Sequence, residues 1–414
     1  MILIGIIVSC FYFPFGLISL PRDVNTKMIL AVIGILLFIY HSIREKGATL
    51  SKELLGAAGF VVIFSLICFY TTDYNHTNDY SYATYFASFA TWLGAAYTVC
   101  AAIRAFHGQV TFKTLTGYLA SVCSVQCLLA MAIDRVPVIK TWVDTYIYQG
   151  QDFLNEIDRL YGIGAALDPA GVRFAIVLIM IVFLLYKDQE IRFDKWKIAL
   201  LWSAFFIISV IGNMISRTTS VGMVMGLGYM LLATGIFRLV IKMNYAKLYS
   251  ILGFVLIFVV GFSIFLYHED NSFHQNLRFG FEGFFNWVET GEWTTSSTDK
   301  LNREMWIWPT DMKSWIIGKG LYTNWAFSTD VGYCRFILYC GISGFSIFAL
   351  FFVYNACVFA GKYPVYRDMF IAFLFLSFII WIKVSTDIFQ IYALFYCINN
   401  KDWIKEKCNK REIS

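Results

Sequence analysis

Six arginines, Arg159, Arg173, Arg217, Arg278, Arg303 and Arg335, stand in or beside the stretches that join long apolar runs. A guanidinium is planar, permanently charged and offers a fork of donors that matches phosphate oxygens two at a time. A charge at the centre of a bilayer costs on the order of 2.5–3.5 kcal/mol, less at its edge, unless it snorkels to water or meets an anion. Several such groups on one membrane face would suit a lipid pyrophosphate, which presents many oxygens at that depth. Transfer from a pre-activated donor of that kind needs arginine to stabilise the leaving charge and a base to deprotonate the acceptor hydroxyl. Asp330 is the candidate base, in Thr329-Asp330-Val331-Gly332-Tyr333-Cys334-Arg335; a helix N-cap is the blander role for it.

Tyr333 and Arg335 follow at the same level and suit sugar or phosphate, and Trp306, Trp308, Trp315 and Trp325 suit stacking on sugar faces or an aromatic belt at the membrane interface. The chain has no Asp-x-Asp, no His-x-x-x-His and no Gly-x-x-x-x-Gly-Lys-Ser/Thr. The expected chemistry therefore calls on no metal ion and no cofactor. The ten cysteines lie mostly inside apolar runs without metal-ligand spacing, so they read as buried thiols.

These residues must be positioned by membrane-spanning helices. Hydrophobic residues make up 58% of the chain and charged ones 15%, too little polar surface for a soluble fold. Apolar runs approach the roughly 20 residues that cross hydrocarbon. They predict an all-α polytopic membrane protein, a single transmembrane domain over 1–414 with about 11–12 helices near 2–20, 28–42, 54–71, 83–103, 114–133, 170–186, 198–215, 219–237, 248–267, 332–359, 369–383 and 388–399. The first run lacks a basic start and a small-x-small cleavage site, so a retained helix is expected there. The net charge of +5 sits in short connectors and not in a stripe interleaved with aromatics, which argues against nucleic acid.

Alternate connectors hold Arg44, Lys46, Lys52, Arg104, Lys113, Lys187, Arg192, Lys195, Lys197, Arg238, Lys242, Lys247, Lys362 and Arg367, and the tail adds Lys401, Lys405, Lys407, Lys410 and Arg411. The opposite short connectors hold only Arg22, Lys27, Arg217 and Lys383, so the positive-inside rule places both termini in the cytoplasm and the candidate residues outside. Two long outer segments follow, 136–171 and 269–331. In the second, Phe273, Leu277, Phe281, Phe284 and Val288 recur at helical spacing, as do Leu301, Met305, Trp308, Met312 and Trp315, a pattern that Pro309 interrupts and Gly318 with Gly320 ends, with Ser297, Thr298 and Asp299 as N-cap candidates. Interfacial helices are expected there. No internal repeat and no inverted pair of broken helices suggests a transporter.

Four stretches taken together resemble the O-antigen and capsular polysaccharide polymerases, which share a fold with the O-antigen ligases. They are Arg159-Leu160-Tyr161-Gly162 leading to Asp168-Pro169; Ser216-Arg217-Thr218-Thr219; Asn302-Arg303 with Trp306; and Gly318-Lys319-Gly320-Leu321 followed by Thr329 to Arg335 and Gly341-Ile342-Ser343-Gly344. The resemblance covers nearly half of the chain. It implies a glycosyltransferase of the C type in the bacterial inner membrane, with a large periplasmic loop, joining undecaprenyl-pyrophosphate-linked repeat units. Arg217 and Arg303 would bind pyrophosphate with Arg173, Asp330 would activate the acceptor, and Arg159, Tyr333 and Arg335 would be supporting contacts. A chain-length regulator and a flippase of the same pathway are the implied partners. Where the ligase branch carries a histidine before its Gly-x-x-Gly helix this chain has Asp330, which favours the polymerase, while His268 and His274 leave a ligase open. A lipid-oligosaccharide flippase is the third alternative, for which Asp134, Lys383 and Asp387 are few and terminal.

Overall fold

Inside hydrocarbon a backbone N–H or C=O has no water to bond, so a chain this apolar can cross only as hydrogen-bonded helices. The computed structural model describes residues 1–44, 46, 50–157, 159–234, 243–322 and 327–398; Trp325, Arg238, Lys242, Lys401, Lys405, Lys407, Lys410 and Arg411 lie outside them. In chain order the elements are α1 Ile2–Tyr12, β1 Gly16–Leu17, α2 Thr26–Arg44, α3 Lys52–Tyr74, α4 Tyr85–His107, α5 Phe112–Arg135, α6 Pro137–Tyr146, β2 Ile147–Tyr148, α7 Gln151–Glu156, α8 Leu167–Lys187, α9 Gln189–Phe193, α10 Lys195–Ile215, α11 Thr219–Ala233 and α12 Met243–Glu269. There follow α13 Asn271–Gly280, α14 Glu282–Thr290, α15 Ser296–Glu304, α16 Met312–Ile316, α17 Gly332–Lys362, α18 Arg367–Ile380 and α19 Phe389–Cys397. Among the described residues eight helices, α2, α3, α4, α5, α8, α10, α12 and α17, are long and apolar enough to cross a membrane. The chain is a multi-pass, all-α membrane protein.

Several boundaries differ from the sequence expectation for identifiable reasons. The first helix stops at Tyr12 and does not run to residue 20, because Pro14 cannot continue it; Gly16–Leu17 instead pairs antiparallel with Ile147–Tyr148. The apolar stripe of 273–288 is cut into α13 and α14 at Phe281. The stripe of 301–315 is interrupted around Pro309 as expected, between Glu304 and Met312, but its cap is Thr295, whose side chain accepts from Thr298 N, upstream of the three expected candidates.

The chain forms two compact units. One comprises Met1–Ile29, Ala101–Trp293 and Ile398; the other comprises Leu30–Cys100 and Thr294–Cys397, so the long 269–331 segment is divided between them. In the first unit α8 is the central helix, with 83% of its apolar window buried against α5, α10 and α11. A helix apolar on every face belongs at the centre of a bundle. By contrast only 11% of the window of α12 is buried, leaving Phe254, Ile257, Phe258, Val260 and Ile264 on a face suited to lipid. Capping holds the helix starts: Thr111 and Thr114 form a reciprocal box on α5, and Asp194 accepts from Trp196 N and Lys197 N on α10.

In the second unit α17 packs on α3, α16 and α18. Phe336, Phe345, Phe348, Phe352 and Trp381 interlock there, with ring centroids 4.9–6.2 Å apart. Within α17 the backbone of Gly341 leaves the helical region, at φ 65° and ψ 179°. Such a kink releases carbonyls that helical amides would otherwise bond, and in a buried setting these need substitutes. The Gly318-Lys319-Gly320 turn supplies them: Lys319 N donates to Leu338 O at 2.7 Å and Gly320 N to Tyr339 O at 3.0 Å. The approach demands glycine on both sides, since a Cβ on Gly318 would collide with the Tyr339 carbonyl and one on Gly341 with the Ile316 carbonyl, and both residues have positive φ. The turn is further tied to the end of α3 and the residues just after it by Thr71 Oγ1 to Ile317 O at 2.9 Å, Asn75 Nδ2 to Gly318 O at 3.2 Å and Thr77 Oγ1 to Gly320 O at 2.7 Å.

Replacing Gly341 or Gly318 with alanine should therefore cost about 2 kcal/mol or more from forced positive φ and backbone collision, read as a lowered unfolding midpoint of the detergent-solubilised protein. Gly361→Ala in the same helix, where nothing lies within 4 Å of an added Cβ, should leave the midpoint unchanged or raise it.

Candidate anion-binding site

Where α10 ends and α11 begins, the turn Ser216-Arg217-Thr218 faces the start of α8. Leu167, the first residue of α8, holds a left-handed φ of 53°, a conformation costly for a leucine. It leads directly into Asp168, and Asp168 Oδ1 accepts hydrogen bonds from Ser216 Oγ and Thr218 Oγ1, both at 2.8 Å. One carboxylate oxygen therefore holds both residues that flank Arg217. The Asp168-Pro169 and Ser216-Arg217 stretches, read as separate signals in the sequence, meet here.

The corner between α13 and α14 closes over that turn. Arg217 Nε donates to Phe279 O at 2.9 Å, an Arg217 terminal amine pairs with the Glu282 carboxylate, and the guanidinium lies 4.1 Å from the centroid of the Phe279 ring. The Arg159 guanidinium lies 3.8 Å from the same centroid. Two cations thus share one aromatic ring, an arrangement that ring quadrupoles support and mutual repulsion opposes. Burial lowers the Arg159 pKa, neighbouring Arg217 lowers it further, and Asp168 and Glu282 act against both. For Arg217 burial is again the largest cause of a lowered pKa, opposed by Glu282 and then Asp168. Gly280 fixes the corner to α10, since a Cβ there would stand 3.0 Å from the backbone of Asn213 and Met214.

Two other arginines of the first unit have contacts of their own. The Arg173 guanidinium is 5.8 Å from the Phe13 ring, on the side of α8 that receives the end of α1, and Tyr12 Oη donates to the Arg173 carbonyl at 3.0 Å. Arg278 pairs with Glu289 at 2.8 Å, on the same helical corner. His274 stacks on Tyr267 with centroids 4.0 Å apart, its Nδ1 3.3 Å from the Tyr267 carbonyl.

In the second unit Leu301 of α15 packs with Val331, Cys334 and Leu338 at the start of α17, and Thr329 Oγ1 donates to Met305 O. The elements that carry Arg303 and Asp330 are thereby brought together, with Arg303 exposed and Asp330 half-buried. The N-cap position of α17 belongs to Val331, which supplies no side-chain cap. Arg335 donates to Tyr322 O at 2.7 Å and Ser385 Oγ at 3.2 Å and lies 4.0 Å from the Tyr322 ring centroid. Tyr333 Oη donates to Phe378 O at 2.8 Å. Sequence reasoning missed the network around these two: Tyr322 N donates to Asp79 Oδ2 at 2.6 Å, Tyr339 Oη to Asp79 O at 2.9 Å, and Tyr82 Oη to Ser385 O at 3.1 Å.

Two aromatic surfaces also lie in this unit. Trp306, Trp308 and Trp315 form a run with centroids 5.8 and 5.6 Å apart, the first two partly exposed. At the end of α3, Phe69, Tyr70, Asp73 and Tyr80 line an open pocket of about 430 Å³. Among the described residues no three His, Cys, Asp or Glu side chains gather as a metal-holding group. No protein-family model, curated protein or solved structure matches the chain.

The hydroxyl bonds to Asp168 should be measurable as coupling. In a double-mutant cycle of Asp168→Ala and Ser216→Ala, unfolding free energies should deviate from additivity by roughly 1–3 kcal/mol, the range for a hydrogen bond to a charged group. Strict additivity would mean that the carboxylate does not hold the Arg217 turn.

Proposed function

We propose that the chain is a polymerase that joins undecaprenyl-pyrophosphate-linked oligosaccharide repeat units on the periplasmic face of the bacterial inner membrane, with both termini cytoplasmic. The observation that carries this reading is the pair Arg159 and Arg217 held on the Phe279 ring at a helix end. Two guanidiniums so placed suit a diphosphate at the edge of a bilayer, where each would otherwise stand at a cost. The resemblance to O-antigen and capsular polymerases rests on the four stretches around Arg159 and Asp168, Arg217, Arg303 with Trp306, and Gly318 to Gly344 with Asp330, and the Gly318–Gly341 contact gives the glycines of the last stretch a physical reason to occur together.

In the assignment that the resemblance implies, Arg173, Arg217 and Arg303 bind the donor pyrophosphate, and Arg159, which shares the Phe279 ring with Arg217, supports them. Asp330 accepts the proton of the acceptor hydroxyl as its oxygen bonds to the anomeric carbon of the donor. The bond from that carbon to the pyrophosphate oxygen breaks, and the electron pair leaves with the pyrophosphate, where arginine stabilises it. Trp306, Trp308 and Trp315 offer aromatic faces for the sugars, and Arg335 and Tyr333 hold the surrounding backbone through their bonds to Tyr322, Ser385 and Phe378.

The test is the polysaccharide ladder of a deletion strain complemented with wild type, Arg217→Ala or Asp330→Ala at equal membrane expression. A polymerase predicts one repeat unit on its acceptor in the deletion strain, full rescue by wild type and loss of rescue by at least about a hundredfold with Arg217→Ala. Lipid-linked polymer left untransferred would identify a ligase, and an unchanged ladder would sink both readings. Orientation has its own check in a cysteine-free background: Thr290→Cys should react with a membrane-impermeant maleimide in intact spheroplasts, and Glu190→Cys only after lysis.

A further inference from the structure

We propose that Glu282 is a built-in counter-anion that makes the Arg159–Arg217 site select a multiply charged diphosphate over the singly charged phosphodiesters of ordinary membrane lipids. This rests on the assignment of Arg217 as the pyrophosphate anchor. A pair of arginines at the edge of a bilayer faces a discrimination problem, because anionic phosphodiester headgroups surround it at high local concentration and present the same oxygens as the substrate.

Among the described residues two carboxylates, Asp168 and Glu282, act on the two guanidiniums, and their surroundings assign them different roles. Asp168 is committed by two hydroxyl bonds at 2.8 Å from Ser216 and Thr218, so removing it would free the turn that carries Arg217. Glu282 bonds an Arg217 terminal amine from the first residue of α14, with 24% of its side chain exposed against 14% for Arg217. It is the carboxylate an incoming ligand can reach and replace. A ligand entering there meets an internal competitor of charge −1, presented continuously because Gly280 pins the corner to α10.

A phosphodiester also carries one negative charge. Exchanging it for Glu282 leaves the charge balance unchanged and gives up the covalent tether, so the exchange is unfavourable. A pyrophosphate ester carries more negative charge and has oxygens on two phosphorus atoms, enough to engage Arg217 and Arg159 together, and Arg159 lies on the same ring as Arg217. Only that ligand gains more than Glu282 gives up. Specificity of this kind is a difference of affinities obtained by raising the cost of the wrong partner.

The measurement is calorimetric binding of inorganic pyrophosphate and of glycerophosphoglycerol, a soluble monoanionic phosphodiester headgroup, to the full chain in zwitterionic nanodiscs. Wild type should bind pyrophosphate and discriminate strongly against the phosphodiester; Glu282→Gln should reduce that ratio by about tenfold or more, mainly by admitting the phosphodiester. A second reading uses the wild type alone: pyrophosphate should accelerate amide hydrogen exchange in the first turn of α14, and the phosphodiester should not. If Arg217→Ala leaves pyrophosphate affinity intact, the anchor assignment fails. If Arg217→Ala abolishes binding while Glu282→Gln keeps the wild-type ratio, or α14 exchange ignores pyrophosphate, the anchor stands and the filter is wrong.

Discussion

Hydrocarbon offers a backbone no partner but itself, and much of this molecule follows from how that constraint is met where helices stop being regular. Among the described residues eight long apolar helices satisfy it internally. The kink at Gly341 does not, because it frees the carbonyls of Leu338 and Tyr339 in a buried part of α17. The Gly318–Gly320 turn is drawn in to meet them, and its own carbonyls are bonded by Thr71, Asn75 and Thr77. The Gly318–Gly320 turn is thereby anchored to α17 by backbone hydrogen bonds. Arg335 continues the same anchoring through the Tyr322 carbonyl and Ser385.

Charge is managed by a parallel rule. A guanidinium near a low-dielectric phase needs either water or an acceptor, and Arg217 has only 14% of its side chain exposed. Its acceptors include a carbonyl, a carboxylate and an aromatic face from the short Phe279–Glu282 stretch. The same ring serves Arg159, so removing Phe279 would disturb both cations. Function, in the reading advanced above, uses this arrangement as a resting state in which the protein's own anion stands where a ligand's would.

The sequence pattern carried the helices well where apolar length alone decides, as in α3, α5, α8 and α10, whose expected ranges fall within the observed ones. It erred where a local breaker competes with hydropathy. Pro14 ends α1 although the apolar run continues past it, whereas the interruption expected at Pro309 is present, between the end of α15 at Glu304 and the start of α16 at Met312. The site was legible in part. Arg217, Arg159 and Asp168 stood out because charge and a proline-led turn are rare among such apolar runs. Phe279 and Glu282 did not, since a phenylalanine and a glutamate in an amphipathic helix look like any interfacial pair until the corner folds onto α10.

Composition, hydrophobic run length and the placement of arginines were enough to determine that this is a multi-pass helical membrane protein with its unusual charges gathered at helix ends, because both follow from the cost of putting polar groups into hydrocarbon, a cost borne residue by residue. Which charges meet was decided only by the tertiary structure. Pairing Arg217 with Glu282, Asp168 with Ser216 and Thr218, and Gly318 with Gly341 joins residues from 23 to 65 positions apart. Such contacts depend on how helices cross and where turns close, and no local property of either partner encodes them.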